Sequence, residues 1–585
     1  MKVVPLLTFL ALFASGSISE ANGSGQPDVT VLDIQELQLL VIDGVYEPDE
    51  IIQTDVAVIG GGLGGFAAVM ALGEAGIQVV WTEETDWLGG QLTSQGVSAP
   101  DENLHIEMGG GTMAYQEFRS HIRKWYRRHR RLSEASKKAR HFSPGNCWVS
   151  RLSFEPKVAL SVLDDWIRPY RQDGHLRVLK RHKPFRANSS DDRVSWIDLL
   201  DFEENKIRRI EADLFLDATE LGDLWPLCDA EYTIGAESVA ETGEPHAKQD
   251  APQRDCVQSF TYPFILEYHP GENHSIPKPQ GYEKFKAKQP YDYEYAHLDD
   301  RGDSSTSRPN LFEAIPGRPG SLWTYRRLID RQAFQEGEYA TDYSLINWPS
   351  LDSRRNLLDA SPAEMLEFLE EAKNISLGFL YWMQNELSHR KGVGYPGLKL
   401  NLDLMGTEDG LSKFPYIREA RRAKTLATLR EQDVTVSANP DRHYGRYFHD
   451  SIGIGHYPLD IHPGNCEESL PSSETSTLPF QIPLGVLVPV RMENLIPAGK
   501  SAGTTHITSS CTRLHPIEWA MGEAAGVLAL NCLQEDLSPQ EIHADSTLVR
   551  GLQEDLVNRR IPIQWSPGVS PSDPHFRRRQ WRALD

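Results

Sequence analysis

Gly60, Gly62 and Gly65 have the spacing G-x-G-x-x-G at the end of Thr54-Asp55-Val56-Ala57-Val58-Ile59, an apolar run of strand length. Leu63 and Gly64 complete the loop, a small, apolar, helix-like segment covers 66–75, and a β-branched run, 77–80, leads into Glu83. Each position has a physical task. Gly60 permits a tight turn, Gly62 lets the backbone approach a pyrophosphate, and Gly65 lets the helix pack close to the strand. The helix N-terminus faces the phosphate charge. Glu83, eighteen residues after Gly65, stands where an acid holds the ribose hydroxyls of an adenosine. Strand, glycines, helix, strand and acid occur in register. The chain is expected to bind an adenine dinucleotide.

Further elements must complete the sheet that carries this loop. Leu214-Phe215-Leu216-Asp217-Ala218-Thr219 and Asn494-Leu495-Ile496-Pro497-Ala498-Gly499 read as apolar strands ending in small or polar residues. A Ser/Thr/His loop follows the second, and then a helix over 516–533, with Pro516 where a first helical turn tolerates it. Helical periodicity also marks 362–387 and 418–429. Residues 240–310 turn to Pro, Gly, His, Asp and Tyr, which suggests a loop-rich insertion. The basic run 116–140 reads either as an anion-binding face or, preferably, as a solvated helix face. No second G-x-G-x-x-G appears, so no NAD(P)H domain is expected. Electrons then enter from an organic substrate or a partner, and leave to oxygen, a quinone or another protein.

At 585 residues the chain exceeds one simple core, and 39% hydrophobic content suffices for two. A net charge of −23 argues against a nucleic-acid partner. Lys2 precedes an apolar run, Val3 to Ala14, and small residues follow near Ser19-Glu20-Ala21. That pattern suits a cleaved signal peptide, the alternative being a buried N-terminal strand or helix. No other segment approaches a membrane span. The six cysteines, Cys147, Cys228, Cys256, Cys466, Cys511 and Cys532, are scattered without C-x-x-C or zinc spacing. A metal is therefore not expected, and their pairing stays open.

Trp87-Leu88-Gly89-Gly90-Gln91 follows Glu83 closely, and Asp217-Ala218-Thr219-Glu220-Leu221-Gly222-Asp223 ends the later strand. With Met521-Gly522-Glu523-Ala524-Ala525-Gly526, these segments resemble the signatures of FAD-dependent oxidoreductases of the glutathione-reductase-like superfamily. Pro415-Tyr416-Ile417-Arg418-Glu419-Ala420-Arg421-Arg422, Asp450 to Pro458 and Gln481-Ile482-Pro483 are similar to an exported bacterial subfamily, some of whose members carry names suggesting xanthan breakdown. The resemblance covers most of 51–533. Gly499-Lys500 departs from it, because flavoproteins often place an acid there against the ribityl chain.

The resemblance implies FAD and an α/β fold: a Rossmann-like FAD-binding domain with an inserted α+β substrate domain. The expected division is a signal peptide at 1–21, a discontinuous FAD domain from 51–96, 207–230 and 483–533, a helical/β insertion at 97–206, a substrate or cap domain at 231–482, and a C-terminal extension at 534–585. Cofactor contacts are expected from Gly60, Gly62, Leu63, Gly64, Gly65, Glu83, Gly89, Gly90, Gln91, Asp217, Ala218, Thr219 and Gly499. For proton transfer the resemblance points to His456 and His506, with Arg513 holding an anionic or carbonyl oxygen; Glu419 with Arg418, Arg421 and Arg422 reads as an ion-pair network on a helix. The expected activity is dehydrogenation of a small molecule or carbohydrate by an exported flavoenzyme. The alternatives are a flavin-containing lyase or isomerase on a polysaccharide, and a flavin-binding protein without catalysis.

Overall fold

The second half of β1 (Glu50–Ile59), from Val56 on, is apolar on both faces because both are covered. Val56 and Val58 enter one core with α1 (Leu63–Gly73), while Ala57 and Ile59 enter a second on the opposite face, as parallel central strands require. The computed structural model describes residues 47–291, 311–313, 320–389, 392–466, 475–566 and 568. The expected signal peptide, the expected strand 39–42 and the terminal arginines 577–579 lie outside the described residues.

Beside β1 runs β2 (Val79–Glu83), parallel to it. The helices α2 (Met113–His129) and α3 (Pro156–Gln172) follow, then β3 (Leu176–Lys180), parallel to β2. The antiparallel strands β4 (His182–Ser190) and β5 (Arg193–Asp201) lead into β6 (Lys206–Asp217). β6 has two partners along one edge. Its first half pairs with β5; its second half pairs in parallel with the strand Leu495–Pro497, with Leu495 opposite Phe215 and Pro497 opposite Asp217. Its other edge pairs with β1, Val56 opposite Leu214 and Ile59 opposite Asp217. The three expected strands therefore end side by side, at the same edge as the glycine loop. Residues 97–206, read as an insertion, contribute β3, β4 and β5 to this same sheet.

A second layer is an antiparallel sheet of β7 (Phe264–Tyr268), β8 (Arg327–Ile329), β9 (Tyr343–Ile346) and β10 (Leu398–Leu400). The helix α4 (Pro362–Asn385) shares its core, bringing Leu369, Phe379, Leu380 and Met383 to Phe264, Leu266, Ile346 and Leu398. β7 thus lies inside the stretch read as loop-rich. Further on come the pair β11 (Ser451–Gly455) and β12 (Phe480–Pro483), then β13 (Leu495–Pro497).

Two local expectations are corrected. The helix read over 418–429 does not form; Arg422–Ala423 is a strand paired with Tyr232–Thr233. Each side chain there has its own partner: Arg418 with Asp352, Arg421 with Asp223, and Arg422 with Glu237 and Glu419. An extended chain can send successive side chains in opposite directions, as these partners demand. The Ser/Thr/His loop is instead a short helix, α5 (His506–Thr512), nucleated by a capping box of Thr505 and Thr508.

α6 (His515–Glu535) lies across α1. A Cβ on Gly522 would stand 2.2 Å from the Gly64 carbonyl oxygen, and one on Gly526 would stand 2.7 Å from that of Ala68. The small-residue pattern of 521–526 is therefore a backbone-to-backbone crossing, and it presses the start of α6 against the glycine loop.

Candidate active site

Gly60 closes the turn after β1 with φ +108°, and a Cβ there would stand 2.2 Å from the Ala218 carbonyl oxygen. Only glycine fits. The residues expected at the loop divide into two groups. Gly60, Glu83, Gly90, Ala218 and Thr219 line a cleft together with Gly61 and Glu220. Leu63, Gly64, Gly65, Gly89, Asp217 and Gly499 build its walls. Gly64 packs on Ala498 and Gly499, and Gly65 on the Gly60 carbonyl. Gly89 donates its N–H to the Gly61 carbonyl at 2.7 Å. Asp217 accepts from the backbone and hydroxyl of Thr219 at 3.0 and 2.7 Å, and burial pushes its carboxyl up to about 7.

Glu83 accepts from the Gly61 N–H at 3.0 Å, and from the Thr85 N–H and hydroxyl at 2.8 and 2.6 Å. Burial pushes its carboxyl up to about 8, against the hydrogen bonds from Thr85. The acid thus also ties β2 to the loop. Glu83→Ala is expected to weaken FAD binding by about 1–3 kcal/mol, the cost of leaving a buried hydrogen-bonding group without its partner. A flavin-fluorescence titration checks this, and an unchanged dissociation constant would separate Glu83 from the ribose.

At the other end of the loop, Gln91 donates to the Arg513 carbonyl at 2.9 Å and to Glu518, in the first turn of α6. Arg513, the last residue of the α5 turn, gives its guanidinium to the Tyr416 hydroxyl at 2.9 Å and to Asp460 at 3.0 and 3.2 Å. Asp460 reaches solvent with 46% of its side chain exposed, so the corner is open there. His462 places Nδ1 2.7 Å from Asp352, and its Nε2 3.5 Å from Asp460. Asp352 also accepts from Thr261 at 2.7 Å and pairs with Arg418 at 3.0 Å. Burial raises the Asp352 carboxyl, but Arg418 and His462 outweigh it and hold it at about 2. Burial and Arg418 lower His462, yet Asp352 and Asp460 leave it above the ordinary histidine value.

The histidines and arginine read from sequence lie in distinct surroundings. His506 and Arg513 stand at opposite ends of α5, about 10 Å apart at 1.5 Å per residue. His506 Nδ1 is 2.8 Å from Glu419, itself paired with Arg422 and held at about 2 by His506 and Arg422 against burial. His456 packs beside His105 and Trp565, and burial lowers it to about 4. His515 is structural: Nδ1 accepts from the Asp101 N–H at 3.1 Å and Nε2 faces the Val97 carbonyl at 3.2 Å, which sets a neutral, Nε2-protonated ring. Gln258 lies between the two segments. Its backbone N–H donates to Glu419 at 2.9 Å, and its side-chain oxygen accepts from the backbone N–H of His462 at 3.4 Å.

Sequence reasoning passed over His462, Asp352, Asp460 and Glu220. Asp460-Ile461-His462 sits in a Pro- and Gly-containing stretch without periodicity, and Asp352 lies 110 residues away. The basic helix also departs from a solvated face. Arg119 is fully buried and pairs with Glu102 and Glu107. Among the described residues, no group of His, Cys, Asp and Glu is arranged to hold a metal ion, and no helix is long and apolar enough to cross a membrane.

The residues present fit an extended dinucleotide. Gly62 and Gly90 bring two backbones without side chains together above the start of α1, with the end of Glu220 between them, and the buried Glu220 Oε1 there lacks a hydrogen-bond partner among the described residues. A parallel sheet with this loop at its edge, an acid on β2, and a C-terminal strand and helix closing over the loop define the FAD-binding flavoprotein class. The profile of the FAD dependent oxidoreductase family matches residues 55–556; the chain belongs to that family, and its cofactor is FAD. Among solved structures it is similar to E. coli quinol fumarate reductase at 12% identity, covering 87% of this chain and 74% of that one, TM-score 0.30. A geranylgeranyl bacteriochlorophyll reductase-like protein from Thermoplasma acidophilum matches at 11% identity, with 91% and 87% covered, TM-score 0.31. L-proline dehydrogenase from P. horikoshii matches at 15% identity over 31% of this chain, TM-score 0.17; the match spans a quarter of that protein's length. No curated protein matches the sequence.

Proposed function

We propose that this FAD-dependent oxidoreductase is exported and dehydrogenates a neutral, hydroxyl-rich small molecule or carbohydrate. The observation that carries this reading is the corner of Arg513, Tyr416, Asp460 and His462 at the start of α6. Its charges are balanced, Arg418 and Arg513 against Asp352 and Asp460. The corner therefore holds both donors and acceptors, which favours hydroxyls; an anionic substrate would meet the exposed Asp460 carboxylate. The cysteines supply the support for export: Cys256 and Cys466 form a disulfide, and structural disulfides belong to oxidising compartments.

Bound FAD supplies a two-electron acceptor. The protein supplies the rest. His462 accepts the hydroxyl proton at Nε2, while Asp352 on Nδ1 sets the tautomer and steadies the charge that develops. Arg513 and Tyr416 hold the oxygen as it becomes a carbonyl. His506, backed by Glu419, is the alternative acceptor; His456 packs among rings in its own corner. Electrons leave to oxygen, a quinone or a partner protein.

The test is anaerobic mixing of the FAD-loaded enzyme with a panel of sugars, oligosaccharides and alcohols, following the oxidised flavin band at roughly 450 nm. Bleaching by one of them identifies the substrate. Product formation with the band unchanged would overturn the redox reading in favour of a lyase or isomerase.

A further inference from the structure

Lys500 stands in the turn after β13. Its side chain is 2% exposed and pairs with Glu220 and, at 3.2 Å, with Glu518. Glu518 also takes the Gln91 amide and the Gly64 N–H. Two carboxylates thus share one buried ammonium at the N-terminus of α1.

The position of Glu220 is informative. Its Oε1 would stand 2.6 Å from a Cβ on Gly62 and 2.7 Å from a Cβ on Gly90. The carboxylate therefore fills the slot those two glycines leave open, and this oxygen has no hydrogen-bond partner among the described residues. Glu220 itself lines the open cleft with 14% of its side chain exposed, so it has a way out. Lys500, held from behind by Glu518, does not.

We propose that Lys500 is a ligand of the FAD diphosphate, and that Glu220 occupies the diphosphate's place until the cofactor arrives. The inference rests on the FAD assignment above. Gly62, Gly90 and the ammonium of Lys500 would hold the diphosphate, with the Glu220 side chain turned into the cleft it already lines. Electrostatics favour the exchange. Lys500 is already shared by two carboxyl groups, and a diphosphate added without displacement would bring a third acidic group to a single ammonium.

The test uses the full chain stripped of flavin, titrated with FAD by flavin fluorescence and with ADP as competitor. Lys500→Met is expected to weaken FAD and ADP alike by about 10- to 100-fold, the equivalent of one charged hydrogen bond. Lys500→Arg should restore most of both, and Glu220→Gln should bind both at least as tightly as the natural protein. Should Lys500→Met fail to fold with two carboxylates unpaired, Lys500→Met/Glu220→Gln is read against Glu220→Gln alone and should show the same loss. The proposal is overturned by a Lys500→Met protein within twofold of the natural one, by a loss for FAD with ADP unchanged, or by a Glu220→Gln protein weakened like Lys500→Met. A natural protein that binds no FAD would instead remove the assignment beneath it.

Discussion

A Gly62→Glu protein is expected to fold and to be colourless. Gly62 has φ −66°, which any residue adopts, and the atom its new Cβ would meet first is the flexible end of Glu220. The fold can accommodate that. The diphosphate cannot, because the carboxylate and its stem enter the slot where the cofactor approaches the backbone. One added like-charge pair at about 4 Å, in a medium of effective dielectric about 20, costs about 4 kcal/mol. That alone lowers FAD affinity about a thousandfold before steric exclusion is counted. Gly60→Ala makes the control: its Cβ would press on the Ala218 backbone at a positive φ, so it should lose stability as well as flavin. Circular dichroism, melting of the flavin-free proteins and the visible spectrum separate the two. A yellow, fully loaded Gly62→Glu protein would mean that the diphosphate passes elsewhere.

The second large effect belongs to His462. Replacement by Ala is expected to slow flavin reduction by about 10²–10⁴-fold, the usual worth of a general base, with FAD still bound. Stopped-flow reduction by the substrate found in the panel provides the measurement. The pH profile has a definite sign. Asp352 and Asp460 hold His462 above the ordinary value, so below that raised value the ring is protonated and cannot accept. Reduction should therefore accelerate as pH rises, with its half-point above about 6.5. Asp352→Asn removes one cause and should shift that half-point down, at some cost in stability because buried Arg418 loses its partner. If His506→Ala instead shows the loss and His462→Ala does not, the acceptor is the imidazole backed by Glu419. Arg513→Ala should raise KM if the guanidinium holds ground state and transition state equally, and lower kcat if it acts only at the transition state.

The cofactor half of this protein was legible along the chain because it is local. A dinucleotide loop needs strand, glycines, helix and acid within about thirty residues, and Ile59, Gly60, Gly62, Gly65 and Glu83 satisfy that need in one stretch. The strands ending at Asp217 and Pro497 were equally readable, since fully buried parallel strands are continuous apolar runs. The proposed substrate corner was legible only at Arg513. Asp352, Asp460 and His462 lie far apart in the chain or in aperiodic stretches, and tertiary pairing, His462 with Asp352 and Arg513 with Tyr416 and Asp460, brings them together. Local periodicity misled at 418–429, where pairing of Arg418, Arg421 and Arg422 with distant acids overrode helix propensity. At Lys500 the sequence showed a departure without its meaning. That required the tertiary pairing with Glu220 and Glu518, because a buried charge is interpreted by its partners and those lie wherever the fold places them.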